Sequence, residues 1–322
     1  MPAALNPRTP HPSRRWTAFA LLVFVALQLK PAAAVLPEPG ETLKTANAQD
    51  CHVFRDLAYP ATSSELRLDV YQPAQDAPGR RAAVLLIHGG GWAFGDKADA
   101  RQKEAALFAV SEGLVAVSLN YTLTRFAGGN VRAQKLKAAW PNNIFDCKSA
   151  LRWMKKNAAE LGIDPNRIAV WGGSAGGHLA LLTGLSARSE SLNHGGGLTD
   201  VDPSVRCIVD FFGIPDVRQF EVYSLLEEAD RHDNQVLALA SPIEHLSMDA
   251  PPVFVVHGTS DEQVEPSLSD SFVQALKQWK IPHEYVLVND VGHGFGLTAG
   301  TLDLRPMIRA FFKAHLLAQP DQ

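Results

Sequence analysis

Cysteine is scarce in this chain, with three residues, Cys51, Cys147 and Cys207, among 322. So few cysteines exclude a small disulfide-stapled scaffold, and an odd number leaves at least one thiol unpaired. Cys147 lies in a helix-like segment and Cys207 in a strand-like run, which is typical of small core residues, although the count leaves room for one disulfide. With 46% hydrophobic residues, a chain of this length is expected to bury one large core of its own.

Apolar runs long enough to span a membrane are also missing. The longest, from Trp16 to Leu29, has 14 residues, whereas a spanning helix needs roughly 20. Three arginines precede this run and the small residues Ala32 to Ala34 follow it, which is the pattern of an export signal. We therefore expect residues 1–34 to be a signal peptide and residues 35–322 to form a single domain. The mature protein is expected to be secreted or periplasmic, without stable membrane insertion.

Positive charge is in deficit, since 30 Lys and Arg stand against 34 Asp and Glu, a formal net charge of −4. The predicted signal carries four basic residues and no acidic one, so the remainder has 26 basic against 34 acidic residues, or −8. A balance of this sign argues against nucleic acid or an anionic membrane as a partner. The sequence also shows no metal-ligand cluster, phosphate-binding loop or internal repeat. We expect neither a metal nor a cofactor.

The most informative motif that is present is G-x-S-x-G, from Gly172 to Gly176, with Ser174 at its centre. An apolar, β-branched segment at 167–171 precedes it and a helix-forming segment at 178–182 follows, so the motif falls on a sharp strand-to-helix turn. Glycines at both ends let strand and helix pack closely around a strained serine, whose hydroxyl projects above the sheet edge. The next amide, that of Ala175, points at the same spot from a helix N-terminus. This arrangement predicts a nucleophilic serine.

A second glycine motif lies upstream, where His88 and three glycines follow the apolar run 82–87. Consecutive glycines after a buried strand leave bare amides that can approach a negatively charged oxygen. Two independent motifs, each closing an apolar strand and in the expected order, favour acyl-transfer chemistry over a pair of flexible loops.

A nucleophilic serine needs a base and an orienting acid, which this type of fold supplies later in the chain in the order acid, then histidine. Asp261 follows the apolar run 252–257, and His293 follows the next run, 284–288. A helix-like segment, 267–280, connects the two runs. Because ligands of open α/β sheets bind at the carboxyl ends of the strands, Ser174, Asp261 and His293 are expected to converge.

Other side chains compete for these roles. His178 lies one helical turn beyond the serine and cannot face its hydroxyl, and His283 precedes a strand, at the wrong end of the sheet. His257 ends a strand and is expected to satisfy a buried backbone group, and His88 is expected to orient the glycine loop. Glu262 and Glu265 are rivals for Asp261, but they lie further into the loop.

The alternation of apolar runs predicts an α/β fold. We expect a mostly parallel, twisted, eight-stranded sheet with helices on both faces and an antiparallel start. The predicted strands are 53–59, 66–71, 82–87, 115–119, 168–171, 205–212, 252–257 and 284–288, and the predicted helices are 98–111, 142–159, 175–186, 267–280 and 303–317. The segment 186–204 lacks periodicity and is expected to be a surface loop. The segment 213–248 is expected to form a small lid, helical over 217–240.

These motifs resemble those of the α/β-hydrolase esterases related to hormone-sensitive lipase, and among them the BD-FAE-like bacterial acetyl and feruloyl esterases. The resemblance covers roughly residues 56–317. It rests on the LDVYQP stretch at 68–73, HGGGW at 88–92, LGIDPNRI at 161–168, GGSAGGH at 172–178, ASP at 240–242, VHG at 256–258 with Asp261, and GHGF at 292–295.

The resemblance implies Ser174 as nucleophile, His293 as base and Asp261 as orienting acid. It also implies Gly90, Gly91 and Ala175 as oxyanion donors, with Gly89 as an alternative within the three glycines. The expected substrates are short-chain or aryl esters, with acetyl or feruloyl groups on polysaccharide as the natural targets. The stretch before residue 52 is too short for the larger cap of many such relatives, so an open cleft is expected.

One segment departs from the family pattern. Residues 122–140 form a basic, glycine-containing insert with Arg125, Arg132, Lys135 and Lys137. This insert is either a solvated loop or a rim that recognises an acidic or extended substrate.

Two functional classes other than an esterase stay open. They are a serine peptidase of the prolyl-oligopeptidase type and a non-catalytic binding protein with the same fold. The first usually depends on a large N-terminal propeller, and the second is known where a triad member is lost.

Overall fold

The parallel strands of the central sheet all end at the loop edge that the sequence pattern predicts to carry the site. The computed structural model describes residues 36–126 and 136–318, all of which belong to one compact unit. The predicted signal peptide, residues 1–34, lies outside the described residues. The described strands are β1 (Glu41–Lys44), β2 (Asp50–Ala58), β3 (Arg67–Pro73), β4 (Arg81–Ile87), β5 (Val115–Leu119), β6 (Arg125–Phe126), β7 (Leu136–Lys137), β8 (Ile163–Gly173), β9 (Cys207–Phe211), β10 (Val253–Gly258), β11 (His283–Val288), β12 (Thr298–Ala299) and β13 (Leu302–Asp303).

Nine of these strands form the main sheet, in the order β1-β2-β3-β5-β4-β8-β9-β10-β11. The first three strands run antiparallel to their neighbours, and all pairs from β5 to β11 are parallel. Parallel neighbours need crossover connections, which the helices supply. This observation confirms the predicted α/β-hydrolase fold with a mostly parallel sheet.

The helices cover both faces of the sheet. Within the described residues they are α1 (Ala100–Ser111), α2 (Asn142–Lys156), α3 (Ala175–Leu185), α4 (Glu190–Asn193), α5 (Asn234–Ala240), α6 (Pro266–Gln278) and α7 (Arg305–His315). Helices α2, α3 and α6 pack into one hydrophobic cluster, and α1 and α7 pack into the other. None of the described helices is long and apolar enough to cross a membrane.

Strand β4 shows why a near-continuous apolar run folds as a central strand. Successive side chains of a strand point to opposite faces, and helices cover both faces here. Ala83, Leu85 and Ile87 enter the cluster on one side, and Val84 and Leu86 enter the cluster on the other. The three cysteines, one on each of β2, α2 and β9, are buried and unpaired, so they pack as small core residues.

The predicted strand count is wrong by one, because the sheet has nine strands rather than eight. The additional strand, Glu41–Lys44, pairs antiparallel with β2 at the edge of the sheet. It has four residues, half of them charged, and its side chains alternate between partly buried and exposed. So short and polar a strand has no sequence signal of its own, and it forms because β2 offers a free edge.

The predicted lid helix over 217–240 is also wrong. The structure has a 3₁₀ turn at Val217–Gln219, the seven-residue α5 and a second 3₁₀ turn at Pro242–His245, with turns and irregular backbone over 220–233. The charged stretch 227–233 has no apolar periodicity to bury as a helical face. Asp233 ends it by accepting hydrogen bonds from the Gln235 and Val236 amides, which starts α5 only there.

The segment 186–204 is more ordered than the surface loop predicted for it. It contains the short helix α4, in which Leu192 is buried. The buried Lys148 ammonium donates to the Ser186 carbonyl at 2.9 Å and to Asn193 Oδ1 at 2.8 Å, and Arg152 Nη2 donates to the Asn193 carbonyl. Two side chains of α2 therefore hold the segment down, a long-range contact that local periodicity does not show.

Candidate active site

The turn between β8 and α3 holds Ser174 in a backbone conformation that L-residues rarely adopt, with φ 57° and ψ −125°. A Cβ on Gly172 would lie 2.0 Å from the Gly176 carbonyl oxygen, and one on Gly176 would lie 2.2 Å from the Ile87 carbonyl oxygen. Neither position can therefore carry a side chain. The Ser174 amide donates to the Phe211 carbonyl at 2.9 Å, which ties the turn to β9.

The glycine loop after β4 lies directly beside this serine. A Cβ on Gly89 would be 2.8 Å from the Gly173 carbonyl oxygen and 3.5 Å from Ser174 Cβ, so close approach requires glycine there. Gly90 has φ 113° and accepts hydrogen bonds from the amides of Ala93 and Phe94, which closes a tight turn. Among the described residues, the amides of Gly89, Gly90 and Gly91 have no hydrogen-bond acceptor. All three amides are free to bind an incoming oxygen, so Gly89 stays an alternative donor.

A continuous hydrogen-bond chain joins the three side chains predicted from strand ends. Ser174 Oγ lies 2.9 Å from His293 Nε2, and His293 Nδ1 lies 2.7 Å from Asp261 Oδ2. Because a carboxylate only accepts, Nδ1 carries the proton and Nε2 presents its lone pair to the serine hydroxyl. In this tautomer, His293 can accept the proton of Ser174.

Both carboxylate oxygens of Asp261 accept hydrogen bonds. Its Oδ1 accepts hydrogen bonds from the Gln263 and Val264 amides, each at 2.9 Å, while Oδ2 faces His293. Burial alone would raise the pKa of Asp261, but the hydrogen bonds from Val264, His293 and Gln263 outweigh it and lower the pKa below the ordinary value. The side chain is therefore an ionised, fixed acceptor at neutral pH.

His257 is a second imidazole beside Asp261. Its Nε2 lies 2.8 Å from the Val264 carbonyl and 3.2 Å from Asp261 Oδ2, and its Nδ1 accepts from Ser269 Oγ at 2.7 Å. Since a carbonyl oxygen only accepts, Nε2 carries the proton of a neutral ring. Burial lowers the pKa of His257, which keeps this ring uncharged. His257 thus buttresses the loop that carries the acid.

The other rivals lie away from the serine hydroxyl or are occupied elsewhere. The His88 ring stacks on Tyr121 at 4.3 Å and its Nδ1 donates to the Gly89 carbonyl at 2.8 Å, while burial lowers its pKa. His283 Nδ1 donates to the Ile281 carbonyl at the start of β11. Glu262 and Glu265 are exposed. Asp261 and His293 are the pair that the structure brings to Ser174.

Sequence reasoning gave His178 no role, but the structure places it at a junction. This fully buried ring lies on α3, accepts from the Trp92 indole N–H at 3.1 Å and donates from Nε2 to the Ala240 carbonyl at 2.8 Å. It thereby joins the serine helix, the glycine loop and the lid. Trp92 belongs to the H-G-G-G-W motif and His178 to the G-G-H motif. No local sequence pattern indicates that these two side chains, 86 residues apart, form a hydrogen bond.

Replacing His178 with leucine is expected to destabilise the fold. The change orphans the buried Trp92 N–H and Ala240 carbonyl, at a cost of about 1–3 kcal/mol for each buried unpaired group. Burial lowers the pKa of His178 to about 4, below its ordinary 6.5, so its contribution to stability is complete above pH 6.5 and is lost as the pH falls toward 4. Urea unfolding at pH 7.5 and pH 4.5 measures both effects.

The matched control is His194→Leu, because His194 is exposed and, within the described residues, its ring hydrogen-bonds to the nearby Glu190 carbonyl alone. The control should leave the free energy of unfolding within about 0.5 kcal/mol of the parent protein. His178→Leu should also show a smaller loss of stability on acidification than the parent protein. An unchanged acid dependence would mean that His178 is not the group that titrates.

The first residues of the insert reach this junction. Strands β6 and β7 pair antiparallel, and residues 127–135, which include Arg132 and Lys135, lie outside the described residues. Thr124 N donates to the Trp92 carbonyl at 2.9 Å and Thr124 Oγ1 donates to the Ser224 carbonyl of the lid at 2.8 Å. Phe126 stacks on the exposed Phe94 of the glycine loop, with ring centroids 6.4 Å apart. The start of the insert therefore packs on both the glycine loop and the lid.

The fold and the geometry at the strand ends define an α/β-hydrolase with a nucleophile-elbow turn. The sequence model of the BD-FAE family matches residues 68–276. The chain belongs to that family.

The named relatives of the chain are esterases. Esterase LipQ of Mycobacterium tuberculosis is 32% identical over 76% of this chain and 58% of its own length. The propionate-bound structure of Thermogutta terrifontis esterase 2 is 25% identical, with a TM-score of 0.63, and covers 83% of this chain and 97% of that one. The bifunctional GH43-CE protein of Bacteroides eggerthii is 26% identical, with a TM-score of 0.66, over 81% of this chain and 38% of that one. The chain spans about three fifths of the length of the curated relatives it matches.

Proposed function

We propose that this protein is a carboxylic ester hydrolase in which Ser174 is the nucleophile, His293 the general base and Asp261 the orienting acid. The observation that carries the proposal is the hydrogen-bond chain from Ser174 Oγ through the His293 ring to Asp261. Family membership and the esterase relatives support the same activity. Asp261 holds the imidazole in the tautomer that accepts a proton and stabilises its charged form.

The reaction proceeds in two halves. Ser174 Oγ attacks the ester carbonyl carbon while its proton passes to His293 Nε2, and the carbonyl oxygen becomes negatively charged. The amides of Gly90, Gly91 and Ala175 donate hydrogen bonds to that oxygen; one such donor is worth about 3–4 kcal/mol in other enzymes. The C–O bond then breaks, and the leaving alcohol takes the proton from His293. Water, activated by the same ring, releases the acid from the acyl-enzyme.

A fluorophosphonate probe together with a chromogenic ester tests this mechanism. The probe should add one phosphonyl group to the peptide that contains Ser174, read by mass spectrometry, and should abolish hydrolysis of p-nitrophenyl acetate in parallel. A binding protein with this fold would bind such esters without releasing nitrophenol. Labelling of a different serine with loss of activity would reassign the nucleophile.

We further propose that the substrates carry short acyl groups, acetyl above all, or feruloyl groups on polysaccharide. The lid segment 213–248 contains one α-helix of seven residues and two 3₁₀ turns. A lid of this size offers little apolar wall to cover a long chain, and each buried methylene is worth about 0.8 kcal/mol only where there is a wall. Membership of the BD-FAE family and the likeness to the bifunctional GH43-CE protein support a carbohydrate-linked target.

Across p-nitrophenyl esters from acetate to palmitate, kcat/KM is therefore expected to peak at acetate to butyrate and to fall toward octanoate. Acetylated xylan and methyl ferulate, assayed alongside, identify the natural class. A maximum at decanoate or beyond would reveal a long apolar acyl tunnel and overturn the short-chain proposal.

We also propose export, with residues 1–34 as the cleaved signal. The support is the basic start, the 14-residue apolar run and the alanines that follow it. The full chain, expressed in a bacterium with a Sec pathway, should appear in the periplasm or medium with a new N-terminus near residue 35. Intact Met1 on the cytoplasmic protein would contradict export.

A further inference from the structure

A cavity of about 440 Å³ lies on the α1 side of the sheet edge, immediately beside the proposed catalytic site. Its lining includes Gly89 and Gly90 of the glycine loop and Gly173, the residue before Ser174, and a Cβ on Gly89 would lie 3.5 Å from Ser174 Cβ. Its volume is in the range of about 300–1,000 Å³ that small-molecule sites occupy. Its position beside the elbow makes it a place for one half of an ester substrate.

Four aromatic side chains line this cavity: Trp171, Phe211, Phe212 and Phe295. Phe212 packs edge-on against the His293 ring at 4.8 Å and against Phe295 at 4.6 Å. A substrate group in the cavity would therefore contact rings that already lie against the proposed base. The lining favours a ring or short chain of carbon.

Some polar side chains of the cavity lining are already hydrogen-bonded within the protein, as Glu104 and Asp99 are, whereas Gln102 has an unpaired nitrogen. Glu104 is occupied, since Oε1 pairs with Arg305 at 2.9 Å and Oε2 accepts from the Leu297 amide at 3.3 Å. Asp99, at the N-terminus of α1, accepts from the Asp96 amide at 3.0 Å. Gln102 Nε2 is buried and has no hydrogen-bond partner in the described structure.

Arg101 is the cationic residue of the cavity lining, and within the described residues it has neither an ion pair nor a hydrogen bond. Its Nη2 lies 3.1 Å from the position that a Cβ on Gly294 would occupy, next to His293 in the chain. A guanidinium has five donors in a planar fork that matches a carboxylate. An exposed, unpaired guanidinium beside an aromatic cavity can bind the anionic group of a molecule whose apolar part enters the cavity.

We propose that this cavity binds the half of the ester that bears a carboxylate, and that Arg101 selects for that carboxylate. The inference rests on the proposed esterase activity and deepens it by naming a charged substrate class. Arg101 is exposed, so salt screens its attraction and the preference should weaken as ionic strength rises.

Matched substrate pairs test the proposal in each half of the ester. In the alcohol half, the acetyl ester of 4-hydroxybenzoate is compared with that of 4-hydroxybenzamide. In the acyl half, 4-nitrophenyl hydrogen adipate is compared with 4-nitrophenyl hexanoate. The wild-type enzyme should prefer the anionic member of one pair, and that pair identifies the half that enters the cavity.

The variants are Arg101→Gln, Arg101→Lys and the control Lys103→Gln, which removes the same charge from the same helix outside the cavity lining. Arg101→Gln should lower kcat/KM for the preferred anionic ester about tenfold, at the lower end of the range for a hydrogen bond to a charged group. Its neutral partner should change less than about twofold. Arg101→Lys should retain part of the preference, and Lys103→Gln all of it.

Binding to Ser174→Ala separates this inference from the catalytic proposal, because that variant binds ester without turning it over. NMR titration with both members of each substrate pair should show tighter binding of the anionic member in one pair, and this difference should be lost in Ser174→Ala/Arg101→Gln. If the parent protein hydrolyses no ester, the proposed activity fails while this binding difference still supports the cavity. Equal binding of the two members in both pairs, or equal losses for both members in the Arg101 variants, would overturn the role of Arg101.

Discussion

Ser174→Ala is expected to remove nearly all esterase activity while the protein remains folded. Loss of the nucleophile costs on the order of 10⁶ in kcat in a well-studied serine hydrolase, because the members of a triad act as a unit. In this structure the Ser174 hydroxyl makes a single described hydrogen bond, to His293 Nε2. Alanine retains the same backbone restriction at φ 57°, so little stability is at stake. Turnover of p-nitrophenyl acetate and thermal unfolding, measured on the same preparation, separate the two properties.

Ser260→Ala is a suitable control because Ser260 is exposed on the neighbouring loop, one residue before Asp261. It should keep turnover within about twofold of the parent protein and should still react with the fluorophosphonate probe. A Ser174→Ala protein that retained a tenth of the parent turnover would show that another group attacks the ester. Loss of activity together with unfolding would contradict the expectation that Ser174 does not contribute to stability.

The elements that sequence analysis predicted well are those whose signals are local and repeated. The run 82–87 is apolar on both faces because helices cover both faces of β4, so its pattern alone identifies a central strand. The glycines at 172 and 176 leave no room for a Cβ. A steric constraint of this kind determines which residue a single position can carry. The glycines can therefore be interpreted from the sequence without knowledge of the fold.

The convergence of Ser174, Asp261 and His293 could be predicted for a topological reason. Each residue follows a strand, and the parallel strands β8, β10 and β11 end at the same edge of the sheet. Chain order and strand polarity therefore bring together side chains that lie 119 residues apart in sequence. The distances between the three side chains and the tautomer of His293 follow only from the structure.

The features that sequence analysis missed depend on partners distant in the chain. Strand β1 exists because β2 has a free edge, and residues 220–233 are irregular although they lie between two helical segments. His178 gains its role only when Trp92 and Ala240 are folded against it. No pattern of apolar residues encodes such pairings, since each involves a polar atom and a partner on another element.

Asp261→Asn is expected to reduce kcat by about 10⁴, the loss measured for the corresponding change in a well-studied serine hydrolase. The reason lies in how the surrounding donors orient the new amide. The Gln263 and Val264 amides donate to Oδ1, so the asparagine must place its carbonyl oxygen there and turn its NH₂ group toward His293. His293 Nδ1 must then accept, which moves the ring proton to Nε2. An Nε2–H faces the Ser174 hydroxyl and cannot take its proton.

The variant should fold, because its carbonyl oxygen still accepts from both backbone amides. Glu262→Gln is the matched control, since it makes the same chemical change at the exposed neighbouring position and should leave kcat within about twofold. Stopped assays of p-nitrophenyl acetate hydrolysis, with circular dichroism melts, measure both variants. Near-normal turnover in Asp261→Asn would mean that the amide presents oxygen to His293, and that the two backbone donors do not dictate its orientation. Equal damage from Glu262→Gln would move the orienting acid one residue along the loop.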